Sequence, residues 1–357
     1  PINFFALTKK YSSSNNEDSA NEINEFKKLV SSLHKNGIEV ILDVVYNHTA
    51  EGGVGGKTYN FKAMGEDIFY TKDKENNFIN FSGCGNTLNC NHKVVKDMII
   101  QSLLYWYLEV GVDGFRFDLA PVLGRDSNSQ WARHSLLHEL VEHPILSHAK
   151  LIAESWDLGG YFVGAMPSGW CEWNGAYRDT VRQFIRGDFG QVPELIKRIF
   201  GSVDIFHANK NGYQSSISFI CCHDGFTMWD LVSYNLKHNL LNGENNQDGE
   251  NNNHSYNHGE EGLTHNAQII SLRKQQIKNM LLILYISQGI PMLLMGDEMG
   301  RTQLGNNNAY CQDNATTWVD WDRKKEFEDI FLFTKNMIKL RKSYSIFKKE
   351  ISLIEGV

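Results

Sequence analysis

The sequence predicts an α/β chain of the (β/α)8 TIM-barrel class. Three observations carry this. Apolar, β-branched segments alternate with amphipathic helical ones, the pattern of a parallel sheet covered on both faces. The apolar segments repeatedly end in polar residues: Asp43 to His48, Asp118, Glu154, His223 with Asp224, and Asp297 with Glu298. In barrels and in open doubly wound sheets, that edge carries the active site. No glycine-rich phosphate loop follows the first strand, which disfavours a nucleotide-binding sheet.

The elements follow in order. In "NEINEFKKLVSSLHKNG", Ile23, Phe26, Leu29, Val30 and Leu33 share one helical face, and Gly37 stops the helix. "IEVILDVVYNH" reads as a buried strand ending in polar residues. "HKVVKDMIIQSLLYWYLEVG" predicts the next helix, "VDGFRFD" a strand, "QWARHSLLHELVEH" a helix and "KLIAE" a short strand. A helix is expected over residues 176 to 186, then strand "SISFICCHD", the long helix "AQIISLRKQQIKNMLLILYISQG" and strand "IPMLLMGDE". This makes about five or six strands, and a missing N-terminal portion would account for the shortfall from eight.

Two insertions interrupt the alternation. Residues 49–92 are too long for an ordinary strand-to-helix connection. Residues 235–266 are Asn-rich and nearly devoid of apolar residues, a composition that fits low-complexity disorder equally well. Their place after a strand's polar end favours an active-site loop.

Composition excludes several functions. The 357-residue chain is 41% hydrophobic and 22% charged, with a net charge of −7, so it has no electrostatic footprint for nucleic acid or an anionic membrane. Its longest apolar stretch is broken by Gln288, Gly289 and Pro291. Six scattered cysteines without a CxxC point to a reducing compartment. A cytoplasmic protein is expected; the resemblance drawn below also allows a plastid one whose transit peptide was removed. The 12% aromatic content suits stacking on sugar faces.

The chemistry centres on "GVDGFRFDLA". Arg116 and Asp118, two apart on a strand, point to one face, and Phe115 and Phe117 to the other. Asp118, Glu154 and Asp224 end three different strands. Two carboxylates flanking a sugar bond are the minimum for glycoside hydrolysis. Arg116 would keep Asp118 ionised for attack. Glu154 must instead hold its proton, helped by apolar neighbours such as Trp156. His48 and His223 would bond sugar hydroxyls. Read alone, Arg116–Asp118 is equally a buried structural ion pair. Metal hydrolysis through Asp43, His48, His223 and Asp224 is an alternative, but it leaves Arg116 as a cation beside a cation. No cofactor is expected.

With these residues in view, the sequence resembles the α-amylase superfamily, glycoside hydrolase family 13. "DVVYNH", "GFRFDLA", "AESW" and "CCHD" look like its four signatures, in the family's order. The closest likeness is to isoamylase-type glycogen and starch debranching enzymes, through "SGCGNTLNCNH", "EWNGAYRDTVRQFI", "HDGFTMWDLVSYNLKHN" and "GNNNAYCQDN". The resemblance implies retaining hydrolysis of α-1,6 branch points in glycogen, starch or limit dextrin. Asp118 would be nucleophile, Glu154 general acid/base and Asp224 transition-state stabiliser. Arg116, His48 and His223 would line the reactive subsite, with Asp43 orienting, and Trp156 and Asp297 on the substrate side. Ser155 stands where proline more often follows the acid.

The resemblance also implies boundaries. Residues 1–322 would be barrel strands three to eight, and 323–357 the last barrel helix with the start of a truncated C-terminal β-domain. Absent strands would leave open edges, so this piece alone is expected to fold poorly. Glucan transfer, or silent glucan binding, are the alternative activities. The three intact carboxylates argue against the silent one.

Overall fold

The computed structural model describes residues 1–13, 21–126 and 128–347. It divides into two units, one of Pro1–Trp173 with Ala208–Asn211, the other of Asn174–His207 with Gly212–Val357.

In chain order the first unit contains α1 (Asn21–Lys35), β1 (Ile41–Val44), α2 (Phe61–Phe69), α3 (Lys93–Leu104), β2 (Gly114–Phe117), α4 (Leu136–Glu142), β3 (Lys150–Ala153), a hairpin of β4 (Trp156–Asp157) and β5 (Gly160–Tyr161), and β6 (Cys171–Trp173). Strands β1, β2, β3 and β6 pair in that order, all parallel. The register sets Asp43 level with Arg116, Arg116 with Ile152, and Ile152 with Cys171. Alternation then puts Asp118, Glu154 and Trp173 one step further along the same face.

The opposite face carries Leu42, Phe115, Phe117, Leu151 and Ala153, packed with Val95, Ile99 and Leu103 of α3 and Leu136, Leu137 and Leu140 of α4. Phe115 and Phe117 are fully buried, and Trp170 meets Phe117 edge-on at 5.0 Å. Each such ring contributes about 1.5–3 kcal/mol by leaving water. The two phenylalanines thus lie on the face opposite Arg116, as expected, and anchor β2 against α3 and α4.

Some elements differ from expectation. Only Val30 of α1 is fully buried, and Leu29 is exposed, so the helix rests on a narrower stripe than its periodicity promised. Helix α4 starts at Leu136 because Ser135 and His138 close a capping box there, while Trp131 forms a bridge with Arg125. Helix α3 passes into a π-helical turn, Tyr105–Val110, where the Trp106 indole N–H donates to the Phe4 carbonyl at 2.8 Å. Strand β6 escaped notice because it is three residues long with a glutamate at its centre.

The 49–92 insertion is folded around a buried carboxylate. Glu51 accepts the amides of Tyr59 (2.5 Å), Asn60 (2.7 Å) and Lys62 (2.8 Å), and the Tyr70 hydroxyl. The Lys62 ammonium donates to the carbonyls of Glu51, Gly53 and Gly56.

The second unit contains α5 (Gly175–Arg186), α6 (Val192–Ile199), α7 (Val203–Phe206), β7 (Ser216–Phe219), α8 (Met228–Leu231), α9 (Ala267–Ile286), β8 (Ile290–Met292), α10 (Arg323–Glu326) and α11 (Glu328–Ser343). Strands β7 and β8 are parallel, with Ser218 level with Pro291. Tyr177 and Val181 of α5, Ile277, Met280, Leu281 and Leu284 of α9, and Phe327 and Ile330 form its core.

The Asn-rich segment is ordered by its side chains together with those of Asn307 and Asn308. Asn239 donates to the Asp248 carbonyl (2.9 Å) and Asn307 (2.8 Å), and receives the Asn307 amide (2.9 Å). Asn307 reaches the Glu250 carbonyl (2.8 Å) and Asn253 (2.9 Å), while Asn242 and Asn308 both donate to the Asp248 carboxylate. The C-terminal β-domain expected after α11 lies outside the described residues. No helix among the described residues is long and apolar enough to cross a membrane.

Candidate active site

Five of the expected site residues meet at the C-terminal ends of β1, β2 and β3 in the first unit. Arg116 is 4% exposed and stands at their centre. Its Nη1 donates to Asp43 Oδ1 at 2.7 Å and to Asp118 Oδ1 at 3.2 Å. Its Nη2 forms an ion pair with Glu154 Oε2 at 2.9 Å. The guanidinium lies over the Trp173 indole at 4.1 Å, a cation–π contact that also covers it from water. Sequence reasoning paired Arg116 with Asp118 alone; the parallel register adds Asp43 and Glu154.

Glu154 is 2% exposed, and its Oε2 accepts the Leu119 amide at 2.9 Å. Leu119 adopts a left-handed conformation (φ 42°), a strained backbone that turns this amide toward the carboxyl. The Glu154 and Asp118 carboxyls are themselves hydrogen-bonded. Burial holds Glu154 well above the usual carboxylate range against the pull of Arg116, and the Asp118 charge adds to the rise.

Asp118 is also aimed from the first strand. Asn47 Nδ2 donates to Asp118 Oδ2 at 2.7 Å and to the Asp118 carbonyl at 2.9 Å. Asn47 lies within "DVVYNH", yet its role was missed because only the titratable residues of that motif were weighed. His48 Nδ1 sits 2.5 Å from Asn47 Oδ1, and burial lowers the imidazole's pKa although Asp118 pulls the other way.

The "SGCGN" loop is braced beside this corner. Asn86 bonds both backbone groups of Thr49 and the Gly52 carbonyl. A side chain at Gly85 (φ +90°) would place its Cβ 2.6 Å from the Gly53 nitrogen.

Trp156 sits in the β4–β5 hairpin, stacked parallel on Tyr161 at 6.1 Å. Asp157, next to it, takes a bidentate grip from Arg125 at 2.9 and 2.8 Å. The indole covering Arg116 is that of Trp173, which the sequence reading did not single out. Glu172 was missed too. It lies fully buried on the apolar face, accepts the Gly164 amide at 2.9 Å, and is pushed up to about 7 by burial.

His223, Asp224 and Asp297 belong to the second unit. His223 Nε2 is 3.5 Å from Asp224 Oδ2, and both side chains are at least half exposed, just past β7. Asp297 follows β8 and has no exposed surface. Its Oδ1 accepts the Met228 amide at 2.8 Å, closing the start of α8, and burial raises it to about 7. In that place Asp297 supports the start of α8 from within the second unit.

No model of a known protein family matches the chain. Among curated proteins it is 46% identical over 367 residues to "Isoamylase SU1, chloroplastic" of Zea mays, covering 96% of this chain and 46% of that one. It is 48% identical over 351 residues to the "Glycogen operon protein GlgX homolog" of Mycobacterium tuberculosis, covering 97% and 48%. The chain thus spans about half the length of these relatives. Among solved structures, the pullulanase from Bacillus acidopullulyticus matches with a TM-score of 0.70 at 27% identity, over 94% of this chain and 38% of that one. Pullulanase from Anoxybacillus sp. LM18-11, complexed with maltotetraose, matches with a TM-score of 0.73 at 26% identity, over 97% and 47%.

Proposed function

From this similarity to isoamylase-type proteins, which holds along nearly the whole chain, we propose that the protein is a retaining glycosidase cleaving α-1,6 branch points of glycogen, starch or limit dextrin. The observation that carries the reading is the Asp118–Arg116–Glu154 group, two carboxyls in contact around one buried cation. Carboxyls this close favour retention, because an inverting pair must stand about 6.5–9.5 Å apart to admit water. The relatives' names and the maltotetraose bound by the Anoxybacillus pullulanase support a glucan substrate.

In this mechanism the Asp118 carboxylate attacks the anomeric carbon. Glu154 gives its proton to the departing glycosidic oxygen, leaving a glycosyl-aspartate ester. Glu154, now a carboxylate, takes a proton from water, whose oxygen attacks the same carbon and frees Asp118. The raised pKa of Glu154 is what a proton donor near neutrality needs. Asp43 holds Arg116 in place, and His48 and His223 bind hydroxyls at the reactive subsite. Asp224 stabilises the cationic transition state, and Trp156 offers a stacking face. Residues 1–322 form the catalytic barrel portion, with 49–92 and 235–266 as its loops, in a cytoplasmic or plastid protein.

The test is incubation with a branched α-glucan. Linear chains and new reducing ends should appear, and both should vanish in Asp118→Asn and Glu154→Gln. Activity that survives both substitutions would sink the assignment. Chain rearrangement without new reducing ends would mean transfer instead of hydrolysis.

A further inference from the structure

We propose that Asn47 is a positioning residue that aims the Asp118 carboxylate and fixes neutral His48 as the Nδ1–H tautomer, so that His48 Nε2 meets substrate as a hydrogen-bond acceptor. This rests on the reading of Asp118 and His48 as parts of the reactive subsite.

The inference starts from the Asp118 carbonyl, which can only accept. It lies 2.9 Å from Asn47 Nδ2, and the Asp118 Oδ2 lies 2.7 Å from the same atom. Only an NH2 group serves both oxygens; the flipped amide would set oxygen against oxygen twice. Asn47 is fully buried, so no solvent relieves a flip, and its backbone carbonyl is held by the Leu88 amide at 2.8 Å. The amide oxygen must therefore face His48 Nδ1, 2.5 Å away.

That oxygen can only accept, so Nδ1 carries the hydrogen. A neutral imidazole has one N–H, which leaves Nε2 with its lone pair free. Burial favours the neutral ring. Neutral His48 is then a reader of donors: it takes the hydrogen of a sugar hydroxyl. One buried amide thereby couples the orientation of the nucleophile to the polarity of a substrate contact, as partners behind a metal-binding histidine do for its ring.

The deciding measurement is a two-bond 1H–15N correlation spectrum of the His48 ring in 15N-labelled protein, assigned with His48→Gln, above the pH at which the ring is neutral. The expected pattern is a protonated Nδ1 and a bare, pyridine-like Nε2. A protonated Nε2 would overturn the proposal. No substrate enters this measurement, so its failure is separate from failure of the glycosidase reading. In Asn47→Ala the lock is gone, and the ring should become a mixture of tautomers; an unchanged spectrum would also overturn it. On a branched glucan, Asn47→Asp should lower kcat about 100-fold while KM changes little, as expected when a reacting group loses its aim. Wild-type kcat in that variant would remove the positioning role. Should either variant fail to fold, the wild-type spectrum alone decides the tautomer.

Discussion

Glu172 offers a test of the fold that needs no substrate. It sits on the apolar face of β6 with no exposed surface, and one oxygen accepts the Gly164 amide. The Ser155 hydroxyl and the Gly164 and Met166 amides act on the carboxyl as hydrogen-bond donors and lower its pKa, by less than burial raises it. Burial lifts the carboxyl from its ordinary 4.5 to about 7, so the folded chain binds this proton more tightly than the unfolded chain does. Its contribution to stability is whole below about pH 4.5 and is lost as pH rises through about 7. At about 1.4 kcal/mol for each pH unit of displacement, the loss reaches about 3 kcal/mol by pH 8.

Glu172→Gln removes the charge and keeps the shape. The amide oxygen can still accept from Gly164, and the NH2 gains a partner in Ser155. Urea unfolding at pH 5 and pH 8 should show little difference from wild type at the lower pH. At the higher pH the variant should be more stable by up to about 3 kcal/mol. Glu154, Asp230 and Asp297 also have raised pKa values, but they titrate in both proteins and cancel in the difference. A change of equal size at both pH values would refute the linkage, and so would destabilisation that grows toward pH 8.

Three further outcomes follow from the same geometry. Arg116→Met should destabilise by about 3–5 kcal/mol above the raised pKa of Glu154, where it strands that buried carboxylate; the Asp43 arm, 55% exposed, adds little. Denaturant midpoints check this, and the deficit should shrink toward neutral pH and below, where Glu154 holds its proton in both proteins. The hydrolysis rate should fall as pH rises through the raised pKa of Glu154, since the deprotonated acid cannot serve the leaving oxygen; in any Arg116 variant that retains activity, this limb should move to higher pH. Asn307→Ala should cost about 1–3 kcal/mol for each buried group it leaves unpaired, read as lost hydrogen-exchange protection across residues 239–253; unchanged protection would mean that the asparagine network does not order the loop.

What was legible in the sequence is what strand and helix periods encode locally. Alternation in "GFRFD" separated Arg116 and Asp118 from Phe115 and Phe117, and the structure has them so. Polar strand ends marked the edge where Asp43, His48, Arg116, Asp118 and Glu154 gather. Local rules failed where a cap or a short element overrides periodicity, as at Ser135 before α4 and in three-residue β6. Composition misleads in the 235–266 loop for a related reason. Asparagine is common in disorder because it solvates well, but it also offers two donors and an acceptor, and the Asn239–Asn307–Asp248 network uses them.

Register is the deeper limit, and it decides how the opening pair is to be understood. The side-chain period of two says that Arg116 and Asp118 share a face, but not which residues of other strands stand beside them. Shifting β1 by one residue against β2 would replace Asp43 with Leu42 or Val44 opposite Arg116. Shifting β3 would turn Glu154 into the apolar core. In either slip Arg116 would keep Asp118 and become the plain buried ion pair that the sequence also allowed. The observed register gives one guanidinium three carboxylates, more negative charge than it can neutralise, and the most buried of them keeps its proton. A proton donor in contact with a second carboxyl is therefore a product of strand alignment. It would be lost to a one-residue slip that leaves every signature in the sequence intact.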